Sequence, residues 1–157
     1  MSKLIMEGAI FQEAEIIKSE PNRARFRMVL QDADIPNQNK RVYERRVLSE
    51  AMESTKSRMS SKAFGGELDH PLLSGNEQHD GIRQTTLMLK ELSHYILDYD
   101  WKKNQLIGEL ETATTPNGKI LLALLRDKMG LGVSMRGMAE LDRRAGLNYV
   151  KAPLYII

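Results

Sequence analysis

The sequence predicts an α+β fold, in which a mostly antiparallel curled sheet or small barrel is flanked by helices. Several short segments alternate apolar and polar residues, as half-buried strands do. Two longer segments carry apolar residues at helical spacing. The strand-like segments follow one another in pairs with lone helices between them, which favours antiparallel hairpins over parallel βαβ units.

The N-terminal third is predicted to contain two strands. Residues 4–17 are rich in apolar side chains and form the first strand, with a bend at Gly8. A proline-containing turn at residues 20–22 follows. Residues 24–31 then alternate between apolar and polar side chains, which indicates a half-buried strand. Residues 34–39 are predicted to be a loop.

The first predicted helix covers residues 43–62. Its apolar stripe consists of Leu48, Ala51, Met52, Thr55 and Met59. A short strand over residues 64–68 follows and leads to His70. The polar segment 72–84 contains two glycines, so we expect a mobile loop there.

The C-terminal half is predicted to contain a hairpin, a helix and a final pair of strands. The hairpin comprises residues 86–99 and 105–112, with its turn at residues 102–104. Thr115 is the expected cap of the helix, Pro116 its first residue and Gly130 its end. Residues 131–141 and 147–157 are the last strands, around a turn at residues 144–146.

The composition excludes several kinds of function. The 157 residues fit one domain, and the absence of cysteine excludes disulfides, thiol catalysis and cysteine-ligated zinc. The net charge of +2 arises from 23 basic and 21 acidic residues, a balance that does not indicate general nucleic-acid binding. The sequence has no long apolar run, so we expect neither a signal peptide nor a membrane span.

Ser134 and Arg136 are polar residues within an apolar segment. If residues 131–141 form a strand, these two side chains share one face, opposite an apolar face. A serine in such a place needs a hydrogen-bond partner or a chemical role. The nearby Gly132 and Gly137 would let an extended peptide approach closely. Taken alone, these residues favour a hydrogen-bonded core serine beside a surface arginine over a catalytic serine.

His70 is a candidate partner for that serine. The following Pro71 restricts the backbone of His70 to extended conformations. An imidazole has an ordinary pKa of about 6.5 and can take a proton near neutrality, and serine is a poor nucleophile until a base removes its proton. Ser134 and His70 are therefore a chemically suitable pair. A turn histidine beside a structural proline is the alternative.

Three segments, in this order, resemble the prohead core protein proteases of tailed bacteriophages, which are prohead maturation serine proteases related to herpesvirus assemblin. They are residues 39–43 (NKRVY), 66–71 (GELDHP) and 132–137 (GVSMRG), and the similarity spans about residues 33–139. The resemblance implies an assemblin-like fold, a mostly antiparallel barrel ringed by helices, for a single protease domain over residues 1–157. It also implies a serine endopeptidase that cleaves scaffold and major capsid proteins inside the procapsid, which assembles in the host cytoplasm.

The resemblance assigns roles to the candidate residues. In the family the histidine of the second segment and the serine of the third are catalytic, which implies His70 as general base and Ser134 as nucleophile. Arg136 and the backbone near Gly137 are candidates for oxyanion or substrate binding, and Arg136 could equally hold a carboxylate of the protein. The family tends to cleave after glutamate. We expect no cofactor, metal, nucleic acid or membrane partner, and a homo-oligomer is compatible with the resemblance.

A third catalytic residue, an acidic one on the strand after the serine, is also implied. Residues 147–157 contain no matching segment. We therefore expect this residue beyond Ile157, and a chain that lacks a C-terminal segment, truncated or zymogen-derived, with reduced or no activity. Asp69 and Glu140 are the alternatives for orienting His70.

Three other functions stay open. A metal-dependent hydrolase would need suitable ligands, although their spacing is not compact; these would be His70, His79, His94, Asp69 and Asp80. A catalytically inactive capsid- or scaffold-binding module would carry the serine and histidine without a role. A nucleic-acid module has less support, because no aromatic stacking platform accompanies the basic clusters.

Overall fold

The structure is a computed structural model, which describes residues 1–7 and 11–157. The strands, in chain order, are β1 (Lys3–Met6), β2 (Glu15–Ser19), β3 (Ala24–Asp32), β4 (Arg41–Val42), β5 (Gly65–Glu67), β6 (Leu92–Lys102), β7 (Gln105–Thr112), β8 (Arg136–Ala139), β9 (Leu141–Arg144), β10 (Leu147–Val150) and β11 (Tyr155–Ile156). The helices are α1 (Arg45–Ser54), α2 (Lys56–Ser60), α3 (Glu77–Thr85) and α4 (Pro116–Arg126). In the described part of the chain, no helix is long and apolar enough to cross a membrane.

The strands of the described residues form three open sheets. The largest has the order β2-β3-β7-β6-β5, and all of its neighbours are antiparallel. A second sheet, β1-β8-β11, is also antiparallel, whereas the third, β4-β10-β9, contains one parallel pair. The α+β class is therefore confirmed. The prediction allowed an open curled sheet or a small barrel. Because β2 and β5 are the edges of the large sheet and do not pair with each other, the sheet is open and is not a barrel.

Two apolar clusters hold the sheets and helices together. The first packs α1, α2 and α4 against the large sheet; it contains Phe26, Met28, Met52, Met59, Phe64, Ile96, Leu106, Leu110, Leu121 and Leu125. The second packs α1 against the two small sheets; it contains Ile5, Ala33, Tyr43, Val47, Leu48, Ala51, Ala139, Val150 and Leu154. Trp101 and Ile156 pack against both clusters. Full burial of one large apolar side chain contributes about 1.5–3 kcal/mol, so these clusters fix how the sheets meet.

The predicted helix over residues 43–62 is divided into two. The break lies at Thr55, which is buried and whose backbone N–H and Oγ1 both donate to Met52 O, at 3.0 and 2.6 Å. Bonding to the carbonyl three residues back, by main chain and side chain together, competes with the regular helical bond. The apolar stripe of the prediction nevertheless faces the core, because Leu48, Met52 and Met59 are all buried.

The predicted loop over residues 72–84 is wrong, because most of it belongs to α3. Asn76 caps this helix by accepting a hydrogen bond from the N–H of His79. The Asp80 carboxylate accepts bonds from Ser74 and Gly75, and the Ser74 N–H is the main reason why the pKa of Asp80 is lowered. No residue of α3 is buried, which explains why the segment has no apolar stripe.

The predicted second helix is confirmed, and so is the hairpin, except that its first strand begins at Leu92 and not at residue 86, because residues 89–91 form a short 3-10 helix. Strands β6 and β7 pair up to Lys102 and Gln105. Thr115 caps α4 by accepting from the N–H of Gly118 at 3.1 Å, with Pro116 as the first helical residue. The helix ends at Arg126, earlier than Gly130.

The strands predicted at the two ends of the chain, over residues 4–17, 131–141 and 147–157, are each shorter or interrupted in the structure. Residues 4–17 yield β1 and the start of β2, and the bend expected at Gly8 lies outside the described residues. The strand predicted over residues 131–141 begins only at Arg136, so Ser134 lies in the segment that precedes β8. The turn between β9 and β10 is confirmed, with positive φ at both Ala145 (49°) and Gly146 (80°), as a tight hairpin requires.

Candidate active site

Ser134 and His70 meet although 64 residues separate them in the sequence. The distance between Ser134 Oγ and His70 Nε2 is 3.0 Å. It lies within hydrogen-bond reach, which is what a nucleophile and its general base require. His70 is exposed and Ser134 is half-buried, so a large substrate can approach both.

The backbone after β5 carries His70 off the edge of the large sheet. The N–H of Leu68 donates to Glu91 O at 3.2 Å, which ends the pairing with the neighbouring segment. Asp69 then adopts a left-handed conformation with φ of 62°. Aspartate tolerates this region better than most residues do. The resulting turn releases His70 from the sheet edge.

Backbone bonds to the N-terminal segment hold Ser134 from both sides. On one side, Gln12 and Leu131 exchange two backbone hydrogen bonds, at 2.9 and 2.7 Å. On the other side, the N–H of Glu7 donates to Met135 O at 3.0 Å, directly after the serine. The position of Ser134 is therefore set by its neighbours in the chain.

A buried glutamate connects the two segments that carry His70 and Ser134. The Glu67 side chain is only 2% exposed and lies three residues before His70. Its carboxylate accepts bonds from Arg136 Nη2 at 3.0 Å and from Arg83 of α3 at 2.9 Å. It also accepts from the backbone N–H of Met88 at 3.0 Å. All its partners are donors, as a buried carboxylate requires.

The sequence left two roles open for Arg136, namely binding the oxyanion or substrate and holding a carboxylate of the protein. In the structure Arg136 holds a carboxylate of the protein. Its Nη2 binds the protein carboxylate of Glu67, and its Nη1 donates to Gln84 O at 2.9 Å. The side chain is 12% exposed. Both ends of the guanidinium thus have protein partners, which links β8 to β5 and to the end of α3.

Gly137 lies in the middle strand of its sheet, between Ile5 on β1 and Ile156 on β11. A Cβ at this position would lie 3.0 Å from Tyr155 O and 3.1 Å from Leu154 Cδ1. The close approach of β11 therefore explains why this position carries glycine. Its oxyanion role stays a prediction.

A second buried glutamate explains the segment at residues 39–43. Glu7 is 3% exposed, and its carboxylate accepts bonds from Tyr43 at 2.6 Å and Arg41 at 2.8 Å. Asn37 and Asn39 donate to the same group. Burial, together with the bond to Glu7, raises the pKa of Tyr43 far above its ordinary value. Since the backbone of Glu7 holds Met135, this cluster supports the serine segment.

The sequence did not identify Glu7, Arg83 or the role of Glu67. Glu67 lies within the segment that resembles phage proteases, and Arg41 and Tyr43 lie within another. An acidic residue directly after the apolar run Leu4–Met6 was the available signal for Glu7. Nothing local marks Arg83, because its partner lies on another element.

The partner of His70 Nδ1 is not found among the described residues. Glu140 instead pairs with the N-terminal amine of Met1 at 2.9 Å and with Lys151 at 3.5 Å. Asp69 is exposed and makes no ion pair within the described ranges 1–7 and 11–157. The third catalytic residue therefore stays a prediction.

The candidate metal ligands of the metal-hydrolase alternative make different contacts in different parts of the structure. His79 is exposed on α3, and Asp80 holds the turn before that helix. The His94 ring lies over Gly66, and its Nδ1 is 2.8 Å from Ser93 Oγ. In the part of the chain that the structure describes, no three acidic or histidine side chains are grouped to hold a metal ion.

Comparison with solved structures finds the same fold in a known protein. One matching structure is that of the bacteriophage T4 capsid assembly protease, gp21, with a TM-score of 0.80 and 23% sequence identity. The match covers 99% of this chain and 93% of that one. At this identity the likeness establishes the shared fold. No family model matches the chain, and no curated protein matches it.

Proposed function

We propose that this protein is a serine endopeptidase of phage prohead maturation, with Ser134 as nucleophile and His70 as general base. The observation that carries the proposal is the 3.0 Å contact between Ser134 Oγ and His70 Nε2. It is made by two of the three segments that resemble prohead proteases, in a fold shared with a capsid assembly protease. The substrates would be phage scaffold and capsid proteins, cleaved inside the procapsid.

The chemistry is acyl transfer in two stages. His70 accepts the proton of Ser134 at Nε2 while Oγ bonds to the peptide carbonyl carbon. The tetrahedral intermediate collapses, the C–N bond breaks, and His70 gives its proton to the leaving amine. Water then attacks the acyl carbon while His70 takes one of its protons; the C–Oγ bond breaks, His70 returns the proton to Ser134 Oγ, and the acid product leaves. The first stage requires the neutral tautomer with its proton on Nδ1.

The oxyanion must be stabilised by donors that are already in place. Backbone N–H groups close to Ser134 and Gly137 are the candidates. Arg136 would act indirectly, because Glu67 and Gln84 hold its guanidinium. Its proposed role is to hold the segment that carries Ser134 in place.

The test compares two catalytic variants with two matched controls. Purified wild-type protein, Ser134→Ala and His70→Ala are incubated with the scaffold and capsid proteins encoded by the same phage, and products are identified by mass spectrometry. We expect both variants to lose cleavage by a factor on the order of 10⁶ while remaining folded. Ser60→Ala and His79→Ala alter exposed residues of the same types and should cleave normally.

The same experiment separates a protease from a catalytically inactive binding module. A binding module would retain scaffold in co-sedimentation but release no fragments. A folded Ser134→Ala protein that cleaves at the wild-type rate would falsify the assignment.

A further inference from the structure

Helix α3 is attached to the protein by polar contacts at its C-terminal end. None of its residues is buried. Arg83 binds Glu67, the carbonyl of Gln84 accepts from Arg136, and Gln84 Nε2 lies 3.4 Å from Met6 Sδ. The position of the helix therefore depends on a few charged and polar groups.

The Glu67 carboxylate is where these contacts meet the proposed catalytic pair. Strands β5 and β8 belong to different sheets and do not pair with each other. The ion pair between Glu67 and Arg136 spans them, three residues before His70 and two residues after Ser134. A shift of this ion pair would therefore move the imidazole relative to the hydroxyl.

Loss of this carboxylate would have a large local effect. Both arginines are at most 22% exposed at their side chains, so removing Glu67 leaves two poorly solvated cations facing each other. A buried charge without its partner is strongly unfavourable, and the segments would separate to let water in. A displacement of 1 Å at reacting groups can lower a rate by about 100-fold.

We propose that Glu67 is a positioning residue that sets the contact between Ser134 and His70 and couples it to the docking of α3. This inference rests on the proposed function and adds what regulates the contact between the two catalytic residues. When α3 is docked, Arg83 and Arg136 both bind the Glu67 carboxylate, and Ser134 and His70 are aligned. When α3 detaches, Glu67 loses its bond to Arg83, and Ser134 is held less firmly against His70.

The test measures how fast Ser134 reacts with phenylmethylsulfonyl fluoride, a reagent small enough to need no peptide-binding surface. Ser134 Oγ bonds to sulfur, the S–F bond breaks, fluoride leaves and His70 takes the hydroxyl proton. We expect Glu67→Gln to lower the second-order rate constant by about 10- to 100-fold. Amide hydrogen exchange across α3 should become faster in the same variant.

The matched control is Glu111→Gln. Glu111 is another buried glutamate, 5% exposed at its side chain, held by Lys62 at 2.7 Å and Arg25 at 2.9 Å. It makes no hydrogen bond to Ser134, His70 or Arg136 among the described residues. We expect its loss to lower the melting temperature while leaving the sulfonylation rate within about twofold. A purely structural role for Glu67 would make the two variants behave alike.

A second readout is independent of reactivity. The ¹⁵N resonances of the His70 ring report its hydrogen bond to Ser134, and we expect them to change in Glu67→Gln and not in Glu111→Gln. If Glu67→Gln does not fold, Arg136→Lys, which keeps the charge but loses the forked geometry, decides by the same measurements.

The outcomes separate the two hypotheses. Wild-type rates and unchanged ring resonances in folded Glu67→Gln would overturn the positioning role of Glu67 without contradicting the proposed protease function. Unchanged exchange in α3 overturns the coupling to that helix. A wild-type protein whose Ser134 does not react overturns the proposed function, and the ring resonances alone then decide the role of Glu67.

Discussion

Lowering the pH from 7 to 5 is expected to destabilise this protein by about 2 kcal/mol through His94 alone. Burial of the ring over Gly66 lowers the pKa of His94 from 6.5 to about 4. Between these values the unfolded chain is protonated at His94 and the folded protein is not. The free energy of unfolding is therefore unaffected by the protonation of His94 above about pH 6.5 and decreases as the pH falls from 6.5 towards 4.

The magnitude follows from the size of the shift. Each pKa unit corresponds to about 1.36 kcal/mol, so the full effect is roughly 3 kcal/mol at the acid limit and about 2 kcal/mol at pH 5. Urea unfolding at both pH values, followed by the fluorescence of the single tryptophan, Trp101, measures it.

Two variants isolate the contribution of His94. His94→Gln cannot be protonated, so its stability should fall by about 2 kcal/mol less than that of the wild type between pH 7 and 5. His79→Gln removes an exposed histidine and should keep the wild-type pH dependence. Equal losses in the wild type and in His94→Gln would refute the reasoning.

Two further predictions concern the packing behind the candidate active site. Gly66→Ala would place a Cβ 2.2 Å from His94 Nε2, so it should cost about 1–3 kcal/mol in urea unfolding, and much less in a His94→Ala background; the same cost in both backgrounds would contradict the overlap. Tyr43→Phe removes the 2.6 Å bond to the buried Glu7 carboxylate and should cost about 1.5–3 kcal/mol, whereas Tyr99→Phe, which removes a bond to an exposed carboxylate, should cost less. Equal losses in these two variants would show that burial of the acceptor is not what matters.

The sequence predicted those elements whose signals lie within a few residues. The cap and first residue of α4 are Thr115 and Pro116, as predicted, because the capping bond spans only three residues. The turn at Ala145 and Gly146 was predictable for the same reason. Each feature depends on backbone preferences that act locally and need no distant partner.

The failures occur where distant groups decide the structure. The cap of α3 was present in the sequence as Asn76 followed by acidic residues, but the helix has no apolar stripe to complete the signal. It docks instead through Arg83 and the carbonyl of Gln84. The helix over residues 43–62 was correctly located, and its break at Thr55 depends on a side-chain bond that competes with the helix.

The proposed catalytic pair was identified from sequence, and its surroundings were decided by the tertiary structure. His70 and Ser134 stand in short segments whose residue types indicate their chemistry. Glu7 and Glu67 resemble ordinary surface glutamates in the sequence, yet both are buried. A carboxylate can be buried only where donors converge on it, and these donors come from residues 16 to 69 positions away from Glu67 and 30 to 36 positions away from Glu7. Residue type determined what the site could do chemically, whereas folding decided which charges would meet around it, because that depends on contacts between segments far apart in the chain.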